Sequence, residues 1–264
     1  MSIVKRFYAD RCDCLVYDSR AAMGAAAADL AERIILDLLG KQEEVNLMLS
    51  IGQSQFTMFD VLFAKATIDW RRINILHVDE KLTLAAENPL SGQARLKHFI
   101  DRLPYKAAYF FDGVAADAAK ECERYAKVIE EHPIDIVFLG IGDDGHLAFC
   151  EPGHAKFDDA EVCKVFPLDE KTKLQNLRGG GYARIEDVPG EGYTITLPAL
   201  MAAKYKIVCS PFKEKAQAAY NVIFQPVSET YPASIMRMHE NVYAFFDPDS
   251  AALFPDMAWK VTKS

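Results

Sequence analysis

The stretch DIVFLGIGDDGHLAFCEPG, residues 135–153, decides how the rest of the chain is read. Its first part, 135–142, is almost continuously apolar, which fits a strand covered on both faces, as in a parallel sheet, better than the alternation of a half-exposed strand. Glycines then interrupt the run, and Asp143, Asp144, His146 and Glu151 follow. In open parallel sheets ligands bind beyond the carboxyl ends of the strands, so the charges fall where chemistry is expected. His146 and Glu151 are five residues apart, a poor spacing for one helical face. A tight loop, with Gly145 freeing the backbone, gathers them better. A histidine among carboxylates is a poised proton donor and acceptor, because a carboxylate on one ring nitrogen fixes the tautomer and supports the imidazolium. The competing reading is a structural turn with a solvated histidine. Asp-x-His with one distant Glu matches no strong ligand signature, so no metal is expected.

Outward from this strand, apolar runs alternate with amphipathic ones. Residues 14–18 (CLVYD) read as a strand before a long alanine-rich helix that Ser19 caps and Gly40 ends. Buried strands are expected over 45–52 and 73–80, with a helix at 53–66 between them. A helix at 91–103, the segment 107–113 and a helix at 115–132 lead back to the opening strand. Later, 206–210 precedes a helix at 211–224, and 242–247 precedes a last short helix. This alternation implies βαβ crossovers: an α/β fold with a mostly parallel central sheet and helices on both faces, forming one domain over 1–264. The glycine-rich segment 178–193 lacks periodicity and is expected outside the core, as a surface loop or, more sharply, a flap over a site.

Thirty basic against thirty-eight acidic residues give a net charge of -8, and no basic patch denser than WRRIN appears. Nucleic acid and anionic membrane are therefore not expected partners. Six cysteines without regular spacing do not make a disulfide framework, and a reducing cytoplasm is the simpler expectation. The N-terminus shows no apolar leader and the chain no run of 18 apolar residues.

Two further strand ends carry candidate chemistry. Asp79 and Glu80 close the strand at 73–80, and adjacent carboxylates in a partly buried cleft raise each other's pKa toward that of a usable base. A solvated strand end is the bland alternative. After 45–49 the chain runs into Gly52, Gln53 and Ser54 at a helix start, where backbone N–H groups and a hydroxyl can hold a phosphate; an ordinary strand-to-helix turn would look the same. Lys213, again just past a strand, is a second candidate anion contact.

Taken in order, these segments resemble the glucosamine-6-phosphate deaminase (isomerase) family. GIGDDGHLAFCEPG is similar to its G-x-G-x-D-G-H-I-A-F-N-E-P signature, HVDE to its MDE, SIGQSQ to its T-G-S-T-P phosphate loop, LDEKTK (168–173) to L-D-x-x-T-R, and CSPFK to G-x-x-K. YPASIMRMHENVYAFFD resembles the closing P-A-S-x-L-x-x-H segment, so the likeness runs from about residue 45 to the end. It implies a Rossmann-like fold and a cofactor-free, metal-free aldose-to-ketose isomerisation of an amino-sugar phosphate with loss of ammonia. It further implies that Asp79 moves a proton between C2 and C1, that His146 opens the ring, oriented by Asp144 and Glu151, and that Lys213 binds phosphate. Lys173 stands where the family has a phosphate-binding arginine, Cys150 where it has asparagine, and Gln53 and Gln55 alter the phosphate loop. Exchanging a bidentate guanidinium for an ammonium forfeits ~1.5–3 kcal/mol of binding, whereas losing the base or ring-opening acid forfeits ~10²–10⁴ in rate. The costly groups are kept, which favours a working enzyme with a shifted substrate. The alternatives are a hydrolase similar to 6-phosphogluconolactonase and a non-catalytic sugar-phosphate sensor. Family members include monomers and hexamers, so a homo-oligomer is among the expected assemblies.

Overall fold

Two sheets, one large and parallel and one small and antiparallel, share the chain. The computed structural model describes residues 3–256. A hairpin of β1 (Ile3–Ala9) and β2 (Cys12–Tyr17) leads into α1 (Arg20–Leu39), then β3 (Val45–Leu49) and the short α2 (Phe56–Leu62). Next come β4 (Ile73–His77), β5 (Asp79–Lys81), α3 (Gly92–Ile100), β6 (Ala107–Tyr109), α4 (Ala118–Glu131) and β7 (Ile136–Leu139). The remainder is β8 (Cys163–Pro167), α5 (Glu170–Arg178), β9 (Glu191–Ile195), α6 (Leu197–Met201), β10 (Tyr205–Ser210), α7 (Ala216–Phe224) and β11 (Val242–Phe246). Local chemistry sets several helix starts: the side chains of Ser19, Ser91, Asp117 and Asp169 each accept the backbone N–H three residues on.

The large sheet has eight strands in the order β1-β2-β11-β10-β7-β3-β4-β6. All its pairings are parallel except β1 with β2. Its central strands are apolar at successive positions because both faces are covered. Ile136 and Phe138 of β7 join Ile207 and Cys209 of β10 in a core with α1, α2 and α3, while Val137, Leu139 and Val208 point to the opposite core with Tyr125 of α4 and Val222 of α7. From β3 the chain builds outward to β4 and β6; from β7 it builds the other way to β10 and β11. The crevice between β3 and β7 is therefore the topological switch point, the place where an open α/β sheet holds ligand.

The structure departs from sequence expectation in four places. The run at 73–80 is not one strand: Val78 donates to Leu49 of the large sheet and accepts from Ile195, and the chain passes at that residue into a second sheet. That sheet has the order β5-β9-β8 and is antiparallel throughout. Segment 178–193 is not wholly outside the core, since its end enters β9, the central strand of the small sheet, and Tyr193 is fully buried in a stack on Phe111. Among the described residues no helix follows β11. Asp247 instead accepts from Ser250, and residues 248–254 form turns. The N-terminal β1 strand, unforeseen, pairs along β2 at the sheet edge.

Candidate active site

A cavity of about 340 Å³ opens at the switch point, a volume suited to one small polar ligand. The turns after β3 and β7, the inner face of α5, β5, Arg95 of α3 and the turn after β10 line it. Asp79 and His146 both face it.

His146 is placed by the glycines around it. Gly145, at φ +94°, closes a turn whose N–H donates to Gly142, a conformation few L-residues adopt. Gly142 lies directly beneath the imidazole: a Cβ there would come within 2.2 Å of the ring. Asp144 accepts the His146 backbone N–H at 3.0 Å and pairs with Nδ1 at 2.7 Å, which fixes the tautomer and leaves Nε2 for the cavity. Burial alone would lower the His146 pKa, but the hydrogen bond and charge of Asp144, with the charge of Glu151, outweigh it and raise it. Asp144 is the mirror case: burial pushes its carboxyl up, and the imidazolium overrides this and holds it at about 2. Glu151 is completely buried behind this pair. One oxygen accepts the Asp169 N–H at 2.7 Å and the other has no partner among the described residues; burial is the main cause raising its pKa. Thr172 Oγ1 sits 3.4 Å from His146 Nδ1.

Asp79 reaches the cavity from the small sheet. Burial, chiefly, pushes its carboxyl up to about 7, against the opposing pull of Lys81, His146 and Arg95. It is thus poised to gain and lose a proton near neutrality. Its neighbour Glu80, expected at the substrate, does not reach it. Successive strand residues face opposite ways, so Glu80 turns from the cavity and accepts the N–H groups of Lys81, Gly92 and Gln93, each at 2.8 Å, tying β5 to the start of α3.

At the other side lie Gly52, Gln53 and Ser54. The basic partner there is Lys215, not Lys213. The turn Lys213–Lys215 is 3-10, so the two side chains leave in different directions: Lys213 is exposed, while Lys215 is buried against the cavity. Its ammonium donates to Ser54 Oγ at 3.0 Å and to the Ile141 carbonyl, and burial pushes it down to about 8. The preceding Phe212 is held at φ +87°, a strained conformation for a side chain with a Cβ, fixed by its N–H donating to Asp247 and by Arg20 over its ring. Lys173 is also corrected. On α5 the positions Thr172, Gln175, Asn176 and Gly179, spaced three and four apart, face the cavity, and Lys173 is turned off that stripe toward Gly190. Arg178, at the rim, pairs with Asp143. Gln55, a departure noted in the loop, is fully buried in the cavity wall, and neither of its amide atoms has a partner among the described residues.

Sequence reasoning missed Lys81, Arg95, Thr172, Gln175 and Lys215. For Lys81 the signal was present, two residues from Asp79 on a strand; for Lys215 and α5 it needed the helical phase, which the motif order alone does not supply.

A switch-point cleft lined by a half-buried carboxylate and a carboxylate-paired histidine marks a Rossmann-like α/β protein with titratable groups at a small-ligand site. Residues 18–244 match the family described as glucosamine-6-phosphate isomerases/6-phosphogluconolactonase. The chain is 34% identical over 212 residues to glucosamine-6-phosphate deaminase of Listeria monocytogenes, covering 80% of this chain and 88% of that protein. To the Streptococcus pyogenes protein of the same name it is 31% identical over 224 residues, covering 84% and 93%. The chain belongs to this family. Among solved structures, a monomeric glucosamine-6-phosphate deaminase superposes with a TM-score of 0.83 at 23% identity, over 91% of this chain and 99% of that one. The 6-phosphogluconolactonase of Trypanosoma brucei gives 0.76 at 19%, over 92% and 98%. Both share the fold.

Proposed function

We propose that the protein is a sugar-phosphate aldose–ketose isomerase and deaminase, converting an amino-sugar 6-phosphate such as glucosamine 6-phosphate, with water, to the ketose 6-phosphate and ammonia. The observation that carries this is the presence of Asp79 and His146 on one cavity, the first with its carboxyl near neutrality and the second backed by Asp144. Through Nε2, His146 relays a proton from the anomeric hydroxyl to the ring oxygen as that bond breaks, and Asp144 and Glu151 support the charge it gains. Asp79 then removes the proton from C2 and returns it to C1. Ser54 and Lys215, with the turn at Gly52 and Gln53, hold the phosphate. Relatives named glucosamine-6-phosphate deaminase, at 31% and 34% identity over most of the chain, support the same substrate class. Incubation with glucosamine 6-phosphate tests it: ketose phosphate and ammonia are expected in equal amounts from the wild type and neither from Asp79→Asn. Hydrolysis of 6-phosphogluconolactone without ammonia formation would assign the chain to the family's other activity.

A further inference from the structure

Lys81 follows Asp79 by two residues on β5, so both side chains leave the strand toward the cavity. Lys81 is 6% exposed, and its ammonium makes no hydrogen bond or ion pair with any described residue. Arg95, projecting from α3 into the same cavity, is half-buried, and its guanidinium is likewise unpaired among the described residues. Cations withdrawn from water without a partner are costly, and two of them facing one cavity call for an anion that arrives with the ligand or forms during reaction. Asp79 is not their standing counter-ion: it forms no ion pair with either, and burial keeps its carboxyl up near 7. Nor do they belong to the phosphate end. The charges Asp79 feels are those of Lys81, Glu80, His146 and Arg95, whereas Lys215 faces Asp143, Arg178, Asp144 and Glu214.

We infer that Lys81 and Arg95 form an oxyanion site for the C1–C2 edge of the open-chain substrate, holding the negative charge that appears on the C1 oxygen when Asp79 takes the C2 proton. The inference rests on the isomerase reading of Asp79. In that step the C2–H bond breaks and its proton passes to the Asp79 carboxylate. The electron pair forms a C1–C2 double bond, and the carbonyl π pair moves onto the C1 oxygen, beside the ammonium and guanidinium. Asp79 then returns the proton to C1 as the C2 nitrogen lone pair forms a C2=N bond, a proton of the resulting iminium passes to the C1 oxygen, and water adds at C2 and expels ammonia to leave the ketose. Preorganised donors aimed at a developing oxyanion act on the transition state more than on the ground state.

Two open-chain probes isolate the site. 6-Phosphogluconate and glucitol 6-phosphate differ only at C1, where one carries a carboxylate and the other an alcohol. By titration calorimetry the wild type should bind the carboxylate ~10- to 100-fold more tightly, the range for adding charge-assisted hydrogen bonds. In Lys81→Met/Arg95→Met that preference should fall to within ~2-fold, with glucitol 6-phosphate still bound through the intact phosphate end. If circular dichroism shows the double variant unfolded, Arg95→Met alone should shrink the preference. Equal affinities in the wild type, or a preference that survives in the folded variant, overturn the inference. In turnover, Lys81→Met should lower kcat on the order of 10²-fold with KM nearly unchanged, and a raised KM at constant kcat overturns it equally. Calorimetry needs no reaction, so absence of ketose and ammonia would defeat the isomerase reading while leaving the anion preference to be read separately.

Discussion

The large and small sheets serve one cleft by opposite means. The parallel sheet contributes what lies beyond its strands: the turn at Gly52–Ser54, the loop bearing His146, and the turn that ends in Lys215. The antiparallel sheet contributes a strand itself, since Asp79 and Lys81 are side chains of β5. One arrangement orients groups by turn geometry, the other by alternation along a paired strand. On the proposed reading, ring opening and phosphate binding would rest on the switch point of the parallel sheet, and proton transfer on three residues of a sheet grafted beside it.

The comparison breaks first at Asp79. Asp79→Asn should cost ~10²–10⁴ in kcat, and a mild loss would mean that the small sheet carries no chemistry. The same change should stabilise the fold above neutrality. Asp79 holds its proton more tightly folded than unfolded, so its favourable contribution is complete below the unfolded pKa near 3.8 and is lost as pH rises through about 7. A neutral Asn escapes that loss, and the thermal midpoint at pH 8 should rise by ~2–4 °C, as ~1 kcal/mol does in a chain of this size. For the wild type, the rate should fall as pH drops through about 7, when the base becomes protonated. On the side of the large sheet, Asp144→Asn should lower kcat on the order of 10²-fold and move the His146 limb of the pH–rate profile to lower pH, because the carboxylate that raises the imidazole pKa is gone. Lys215→Met should act mainly through KM, by ~10- to 100-fold, which separates phosphate binding from proton transfer. Smallest of all, Lys213→Ala and Lys173→Ala should leave both constants within ~2-fold, and a large effect of either would return the phosphate site to those positions.

Legibility follows the same division. The parallel sheet could be read from the chain because a strand buried on two faces is apolar at consecutive positions, as 135–142 is, and because Ser19 and Gly40 mark both ends of α1. The glycine–aspartate–histidine loop was visible for a related reason: its backbone needs Gly142 and Gly145 where they stand. The small sheet left little trace. β5 is three residues long, below the length at which alternation can be recognised, and β9 hides behind a glycine-rich stretch with few buried apolar residues, Val188 and Tyr193. Lys213 stands out in the sequence because it follows a strand at the G-x-x-K position, whereas the 3-10 turn that rotates it outward and Lys215 inward has no signature in residue type.

Asp79 pairs with Thr194, Glu80 with Tyr193 and Lys81 with Gly192. Which of two adjacent carboxylates faces the cavity is therefore decided by pairing register, not by any difference in intrinsic acidity. A single-residue slip against β9 would exchange the sides, bringing Glu80 to the ligand, withdrawing Asp79 and Lys81 together, and stripping α3 of its anchor. An inserted or deleted residue between Val78 and Lys81 would thus invert the electrostatics of the cleft while the large sheet stayed in place, a route by which one scaffold can exchange one chemistry for another without altering a side chain at the switch point.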